Sequence, residues 1–315
     1  MTTITNTAGD STTRHLLTLL DLSKDEISEL LELATDLKTQ FQNGVREPLL
    51  RGQVLGLLFS KPSLRTRVSF EAAMTHLGGN SLYLGQDVGW GKREPVNDFG
   101  RVLSQYTDAI VCRTFAHAQI EELAQYCDCP VINGLTDMAH PCQALADVLT
   151  VYEECGGFDG RKLAFIGDGN NVARSVAIAC IRLGIEFRLS APKGYEFPQE
   201  FLDSLESVEG DGQLVQIADP AEAIENVDAV YTDVWSSMGQ EKEQRQREKD
   251  FASHQVNAKL MSLAPSAIFL HCLPAKRGQE VTAEVIDGPQ SRIVEQAANR
   301  MHAQKAILAW LLQHS

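Results

Sequence analysis

"KLAFIGDGNN", Lys162–Asn171, begins a second time what "VLGLLFSKPSLRT", Val54–Thr66, has already done once. Each stretch is an apolar run, then a polar turn, then a segment of helix length. A strand buried on both faces of a parallel sheet reads as a continuous apolar run, and its alternation with helical segments marks α/β units. Before Lys162 the runs are "VLGLLF" (54–59), "NSLYLG" (80–85), "AIVCR" (109–113) and "PVING" (130–134). After it come "EFRLSA" (186–191), "LVQIA" (214–218), "DAVYTDV" (228–234) and "AIFLHCLP" (267–274). The restart predicts an α/β fold of two doubly wound parallel-sheet domains.

The join is "LTVYEECGGFDGRK" (149–162): its first part continues a helix begun near Pro141, and Gly156, Gly157 and Gly160 mark a turn. This places the division close to residue 147, with domains over 1–146 and 147–290. In "EQAANRMHAQKAILAWLL" (295–312), Ala298, Met301, Ile307, Leu308 and Leu311 recur at helical spacing and predict a long amphipathic helix within 291–315. The charge run "QEKEQRQREKD" (240–250) reads as a solvated helix with Glu–Arg pairs.

A chain of 315 residues, 43% hydrophobic, can bury the cores of two domains. Its net charge of −14 repels a polyanion, which argues against nucleic acid as a partner and requires any anion site to be a local basic pocket. No apolar run reaches the roughly 20 residues that span a bilayer, and "MTTITNTAGDSTTRH" (1–15) reads as a short lead-in to a cytoplasmic protein. The seven cysteines are scattered through apolar runs and read as reduced thiols; Cys127 and Cys129 lack the second pair a zinc site needs, so no metal or other cofactor is expected.

In open α/β sheets ligands bind beyond the carboxyl ends of the strands, where helix N-termini present free N–H groups. Ser60–Thr66 stands at such a place. Ser63 can cap the following helix, Thr66 shares its face, and Arg65 offers a planar fork to an oxyanion. An ordinary capped helix with surface arginines fits these residues equally well. Arg67, two residues from Arg65, reads as an ion-pair partner within the fold. In "MAHPCQALADVL" (138–149), Pro141 suits the first helical position, and His140 before it is kept neutral by the positive end of the helix dipole. Gln143 lies in the same first turn, and Arg113 closes "AIVCR". Arg65, Arg113 and His140 would thus converge on one crevice.

"GDGNNV" (167–172) fails the dinucleotide pattern, because Val172 stands where the third glycine is required. Asn170 and Asn171 instead bring side-chain amides to the crevice. Asp233 ends one strand, while His271, Cys272 and Leu273 end another. A carboxylate, a thiol and hydroxyl groups suit an ammonium and an amino-acid head group, although a lone buried cysteine is more often simply a small apolar residue.

"SLRTRVSFE" (63–71), "HPCQALAD" (140–147), "GDGNN" (167–171), "DVWSSMGQE" (233–241), "HCLPAKRG" (271–278) and "EQAANR" (295–300) together resemble the aspartate/ornithine carbamoyltransferase superfamily, most closely its ornithine branch. The resemblance implies that carbamoyl phosphate is bound by Ser63, Leu64, Arg65, Thr66, Arg113, His140, Gln143, Cys272, Leu273 and Arg300. It implies that L-ornithine is bound by Asn171, Asp233, Ser237 and Met238, with Arg113, His140, Asp233 and Cys272 acting in catalysis. It further implies that the last helix crosses back to the first domain and that the molecule is a homotrimer. "SSMGQE" favours ornithine over putrescine, N-acylated ornithine or aspartate. At Gly89–Lys92 the chain has "GWGK" where many members carry a Gln-Leu-Gly-Arg-like loop, so no glutamine contact is carried over to it. A carbamoyltransferase for a related amine, a non-catalytic small-molecule sensor and a nicotinamide dehydrogenase are the competing readings. Asp233, Cys272 and the departing phosphate are each candidates to take the proton of the ornithine ammonium.

Overall fold

The structure, a computed structural model, describes residues 13–236 and 243–313. The first half runs α1 (Lys24–Gln42), β1 (Val54–Phe59), α2 (Leu64–His76), β2 (Asn80–Leu84), α3 (Val96–Leu103), β3 (Ala109–Arg113), α4 (His117–Ala124), β4 (Val131–Leu135) and α5 (Pro141–Cys155). The second runs β5 (Lys162–Ile166), α6 (Asn171–Leu183), β6 (Glu186–Ser190), α7 (Gln199–Leu205), β7 (Gln213–Gln216), α8 (Pro220–Ala223), β8 (Ala229–Tyr231), α9 (Gln244–Asp250), α10 (Ala258–Met261), β9 (Ile268–Leu270), α11 (Ala283–Ile286) and α12 (Ile293–Gln313).

Both sheets are wholly parallel, in the orders β2-β1-β3-β4 and β7-β6-β5-β8-β9. Successive strands are laid down first on one side of a founding strand and then on the other. That reversal opens a switch point between β1 and β3 in the first sheet and between β5 and β8 in the second. The apolar runs become strands because helices cover both faces: Leu55, Leu57, Leu58 and Phe59 of β1 are all buried, each contributing about 2 kcal/mol of hydrophobic stabilisation.

The two halves share one apolar core. Leu145 and Val148 of α5, Phe165 of β5, Ala177 of α6 and Leu308 of α12 belong to the same cluster. Helix α5 runs unbroken through residue 147 and ends where Gly156 adopts φ 72°, so the chain passes from one sheet to the other along a buried helix. Helix α12 returns to pack on α1, α2 and α5.

This last helix differs from its expected amphipathic pattern. Ala298 is exposed, while Gln296, Asn299, Arg300, His302, Gln304 and Lys305 are buried together with the apolar residues up to Leu311. Polar groups are tolerated there because α5 supplies partners: Asn299 donates to Thr150 Oγ1 at 3.0 Å and to Glu153 Oε2 at 2.8 Å, and Gln296 donates to Asp147 Oδ1 at 2.7 Å. The charge run also departs from its solvated reading, since Arg247 of α9 is buried.

His302 lies against Phe41, with ring centroids 5.4 Å apart, near Lys305, Lys38 and His76. Burial, then these neighbouring cations, pull its pKa down to about 4. The unfolded chain therefore binds a proton near pH 6.5 that the folded chain refuses, and stability falls as pH drops through the interval from 6.5 to 4. Urea titrations at pH 7 and pH 5 should show His302→Gln losing about 1–2 kcal/mol less than the parent chain between the two pH values.

Candidate active site

The carboxyl ends of β1, β3 and β4 face those of β5, β8 and β9 across a cavity of about 790 Å³, large enough for a pair of small substrates. On the first side Ser63 caps α2: its Oγ accepts from Thr66 N at 3.3 Å and donates to Thr66 Oγ1 at 3.0 Å. Leu64, the first residue of α2, has its side chain in solvent and lines the cavity only as the helix begins. Arg65 is half-buried. Arg67 pairs with Glu71 at 2.9 Å and stacks over Tyr83, as its position on the far face of the helix suggests.

Thr66 is the meeting point of two buried arginines. Arg113, at the end of β3, donates from Nη1 to Thr66 Oγ1 at 3.5 Å, and Arg300 of α12 donates from Nη2 to the same oxygen at 2.8 Å. Arg300 Nη1 donates to Gln143 Oε1. Burial, and then the charge of Arg300, pulls the pKa of Arg113 down to about 10. Arg300 is lowered by burial as well. His140, with Pro141 beginning α5 behind it, has its backbone N–H held by Ser175 Oγ at 2.8 Å. Its imidazole is driven well below its ordinary pKa by burial first and by Arg300 and Arg113 second. It stays neutral, with desolvation the largest cause.

The opposite wall carries the carboxylates Asp168 and Asp233 beside the cations Arg174, Arg247 and Lys276. β5 is followed by Gly167, whose φ of 149° lies outside the range other residues readily adopt, and Asn170 then caps α6 by accepting from Val172 N and Ala173 N at 3.0 Å. Asn170 Nδ2 donates to Asp233 Oδ2 at 2.9 Å, and Asn171 Nδ2 donates across the cleft to Thr136 O at 2.6 Å. The Cys272 thiol donates to Asp233 Oδ1 at 3.1 Å; burial and then Asp233 push its pKa well up, so it remains protonated.

Asp233, His271 and Cys272 bring three ligand-type atoms within 4.8 Å of one another, the one such group among the described residues. Each is already engaged: His271 Nδ1 accepts from Leu273 N at 2.9 Å and its Nε2 faces Glu280 at 3.2 Å, while Cys272 is bound to Asp233. This network therefore ties the ends of β8 and β9 together. It also holds Leu273 at φ 59° beside the cavity.

Ser63, Leu64, Arg65, Thr66, Arg113, His140, Gln143, Asn171, Asp233, Cys272, Leu273 and Arg300 all border this one cavity. Ser237 and Met238 lie outside the described residues. Trp90 packs on the outer face of the first sheet with Leu58 and Cys112, away from the cavity of its own chain. Sequence reasoning missed Lys61, which lines the cavity over the Phe115 ring at 4.0 Å and whose ammonium is lowered by burial and then by Arg113. It also missed Arg247. That residue donates to Asp168 at 2.6 Å and to Trp235 O at 2.9 Å, tying the β5 turn to the segment after β8. Burial opposes its charge, but Asp168 and Glu243 outweigh burial and raise its pKa. The signal for Lys61 was its place within the cradle sequence; Arg247 has no periodic signal to distinguish it from its charged neighbours.

Residues 14–153 match the family profile described as aspartate/ornithine carbamoyltransferase, carbamoyl-P binding domain, and residues 159–311 match that of the Asp/Orn binding domain. The chain belongs to the aspartate/ornithine carbamoyltransferase family. It is 52% identical over 303 residues to an ornithine carbamoyltransferase of Halalkalibacterium halodurans, covering 95% of each chain, and 50% identical over 303 residues to one of Bacillus subtilis, covering 95% of this chain and 94% of that one. Among solved structures of this family, ornithine carbamoyltransferase from Pyrococcus furiosus superposes with a TM-score of 0.91 at 47% identity, over 94% of this chain and 96% of that one.

Within this carbamoyltransferase fold, Arg247→Met leaves Asp168 buried without its cation and should destabilise the chain by about 2 kcal/mol at pH 7. The defect should shrink toward pH 5, where Asp168 can protonate; its carboxyl is already raised by burial. Urea unfolding of the variant and the parent at both pH values measures the difference.

Proposed function

We propose that the chain transfers the carbamoyl group of carbamoyl phosphate to the δ-amine of L-ornithine, giving L-citrulline and phosphate. The observation that carries this reading is one cavity with Arg113, Arg300 and His140 along one side and Asp233 and Asn171 along the other. A dianionic donor suits the first side and an ammonium-bearing acceptor the second. In this reading residues 1–146, with the helix of 291–315, hold carbamoyl phosphate, and residues 147–290 hold ornithine.

The N–H groups opening α2, with Ser63, Leu64, Arg65 and Thr66, take the phosphate. Arg113, the neutral His140 and Thr66 polarise the carbamoyl carbonyl and stabilise the oxyanion of the tetrahedral intermediate, while Gln143, Cys272, Leu273 and Arg300 complete the donor site. Asn171 and Asp233 orient ornithine, and the family resemblance adds Ser237 and Met238. The δ-ammonium first loses a proton to water. The neutral amine then forms a C–N bond to the carbonyl carbon, the C–O bond to phosphate breaks, and phosphate leaves with a proton from the attacking nitrogen. Holding both reactants in line supplies much of the acceleration.

We further infer a homotrimer in the cytoplasm, serving arginine biosynthesis. Edge strand β2 exposes Leu82 and Tyr83, and α2 beside it exposes Leu64 and Val68, an apolar margin suited to a second copy. All seven thiols are free, as suits a reducing compartment.

Incubation with carbamoyl phosphate and, separately, ornithine, N-acetylornithine, putrescine or aspartate should carbamoylate ornithine alone. Product with a different amine, or none with ornithine, overturns the reading. Arg113→Ala should lower kcat by about 10²–10³-fold with the fold retained, as loss of an oxyanion donor does; unchanged turnover would remove Arg113 from the chemistry.

A further inference from the structure

Asp147 is fully buried on α5 and does not itself line the cavity. Donors from three elements meet on its carboxylate: Gln143 Nε2 and Gln296 Nε2 reach Oδ1, each at 2.7 Å, and the Tyr231 hydroxyl reaches Oδ2 at 3.1 Å. Gln143 stands between this acceptor and Arg300, which can only donate. Its amide therefore turns Nε2 toward Asp147 and Oε1 toward Arg300, and both neighbours demand that same orientation.

Arg300 borders the cavity and Asp147 does not, so Gln143 presents its oxygen on the cavity side. One lone pair of that oxygen takes Arg300, and the second can accept from a ligand. A primary amide would satisfy it, whereas a methyl group of the same shape would leave it buried and unpaired.

We propose that Asp147 is a positioning residue that fixes Gln143 with its acceptor inward, so that the pair selects an acyl phosphate bearing NH2 over one bearing CH3. The inference rests on the carbamoyl phosphate reading of the cavity. Burial pushes the Asp147 carboxyl up to about 7, against the opposing pull of Gln296, Gln143, Tyr231 and Arg300. In either protonation state Oδ1 remains an acceptor, with any proton carried on the Tyr231 side. The isosteric amide of Asp147→Asn can therefore replace it.

Phosphonoacetamide and acetonylphosphonate are stable analogues that differ only as NH2 differs from CH3. Calorimetric titration of the full chain should show at least a tenfold preference for phosphonoacetamide. Asp147→Asn should keep that preference within threefold. Asp147→Leu should reduce it to less than threefold, and so should Gln143→Met, which tests the same pair without placing an apolar group at residue 147. A merely structural role for Asp147 would weaken both analogues alike and leave the ratio intact. The inference is overturned if Gln143→Met or a folded Asp147→Leu retains a tenfold preference, or if Asp147→Asn loses it. A parent chain that binds both analogues equally overturns this inference alone; one that binds neither overturns the carbamoyl phosphate reading with it.

Discussion

Two guanidinium groups, on Arg113 and Arg300, are buried side by side around a single threonine hydroxyl, and neither is paired with a carboxylate in any ion pair among the described residues. Removing such charges from water is costly unless an anion or a polar network offsets it. The fold meets part of that cost at one remove, through Gln143 and Asp147 behind Arg300. The remainder creates a strong demand for a dianion at the mouth of α2. The same requirement explains why the last helix cannot be a simple amphipathic lid. It must bring Arg300 into the crevice, and with it a polar face that α5 has to match residue by residue.

The other wall is of mixed charge, with Asp168 and Asp233 among Arg174, Arg247 and Lys276. Asp233 receives hydrogen bonds from Asn170 and Cys272, and Asp168 is locked to Arg247, so carboxylates on this side are held in place by fixed partners. The two switch points thus face one another across the cavity, in the proposed reading one for a phosphate and one for an amine. Because the sheets share a core through α5, α6 and α12, this opposition is built into the packing of the halves.

Much of this was legible in the sequence because the determining signals were local. Continuous apolar runs located all nine strands among the described residues to within a few positions, and the Pro62–Thr66 and His140–Gln143 turns carried their own capping logic. What escaped depended on contacts between distant elements. Arg247 looks like its exposed neighbours until α9 is folded against the β5 turn, 79 residues away. Ala298 looks like a core residue until Gln296, Asn299 and Arg300 take the inner face of α12, a choice made by α5 about 150 residues earlier, as in the 149-residue separation of Asn299 and Thr150. Helical periodicity records the apolar face of a helix, and it fails where the buried face is functional and polar.

The proton inventory narrows the chemistry further. Cys272 is a donor to Asp233 and is held in its thiol form, which fits it to orient that carboxylate. His140 is desolvated beside two arginines, which makes the imidazolium the disfavoured species and suits it to hydrogen-bond the carbonyl oxygen without taking up charge. In the proposed reaction the departing phosphate is the group that receives a proton from the attacking nitrogen. The phosphate becomes more basic as the C–O bond breaks, and in that reading it does so at the α2 N-terminus, beside Arg113 and Arg300. In the proposed reaction Asp233 can therefore be specialised for orienting the amine, with the donor carrying away the proton that its own departure makes it able to accept.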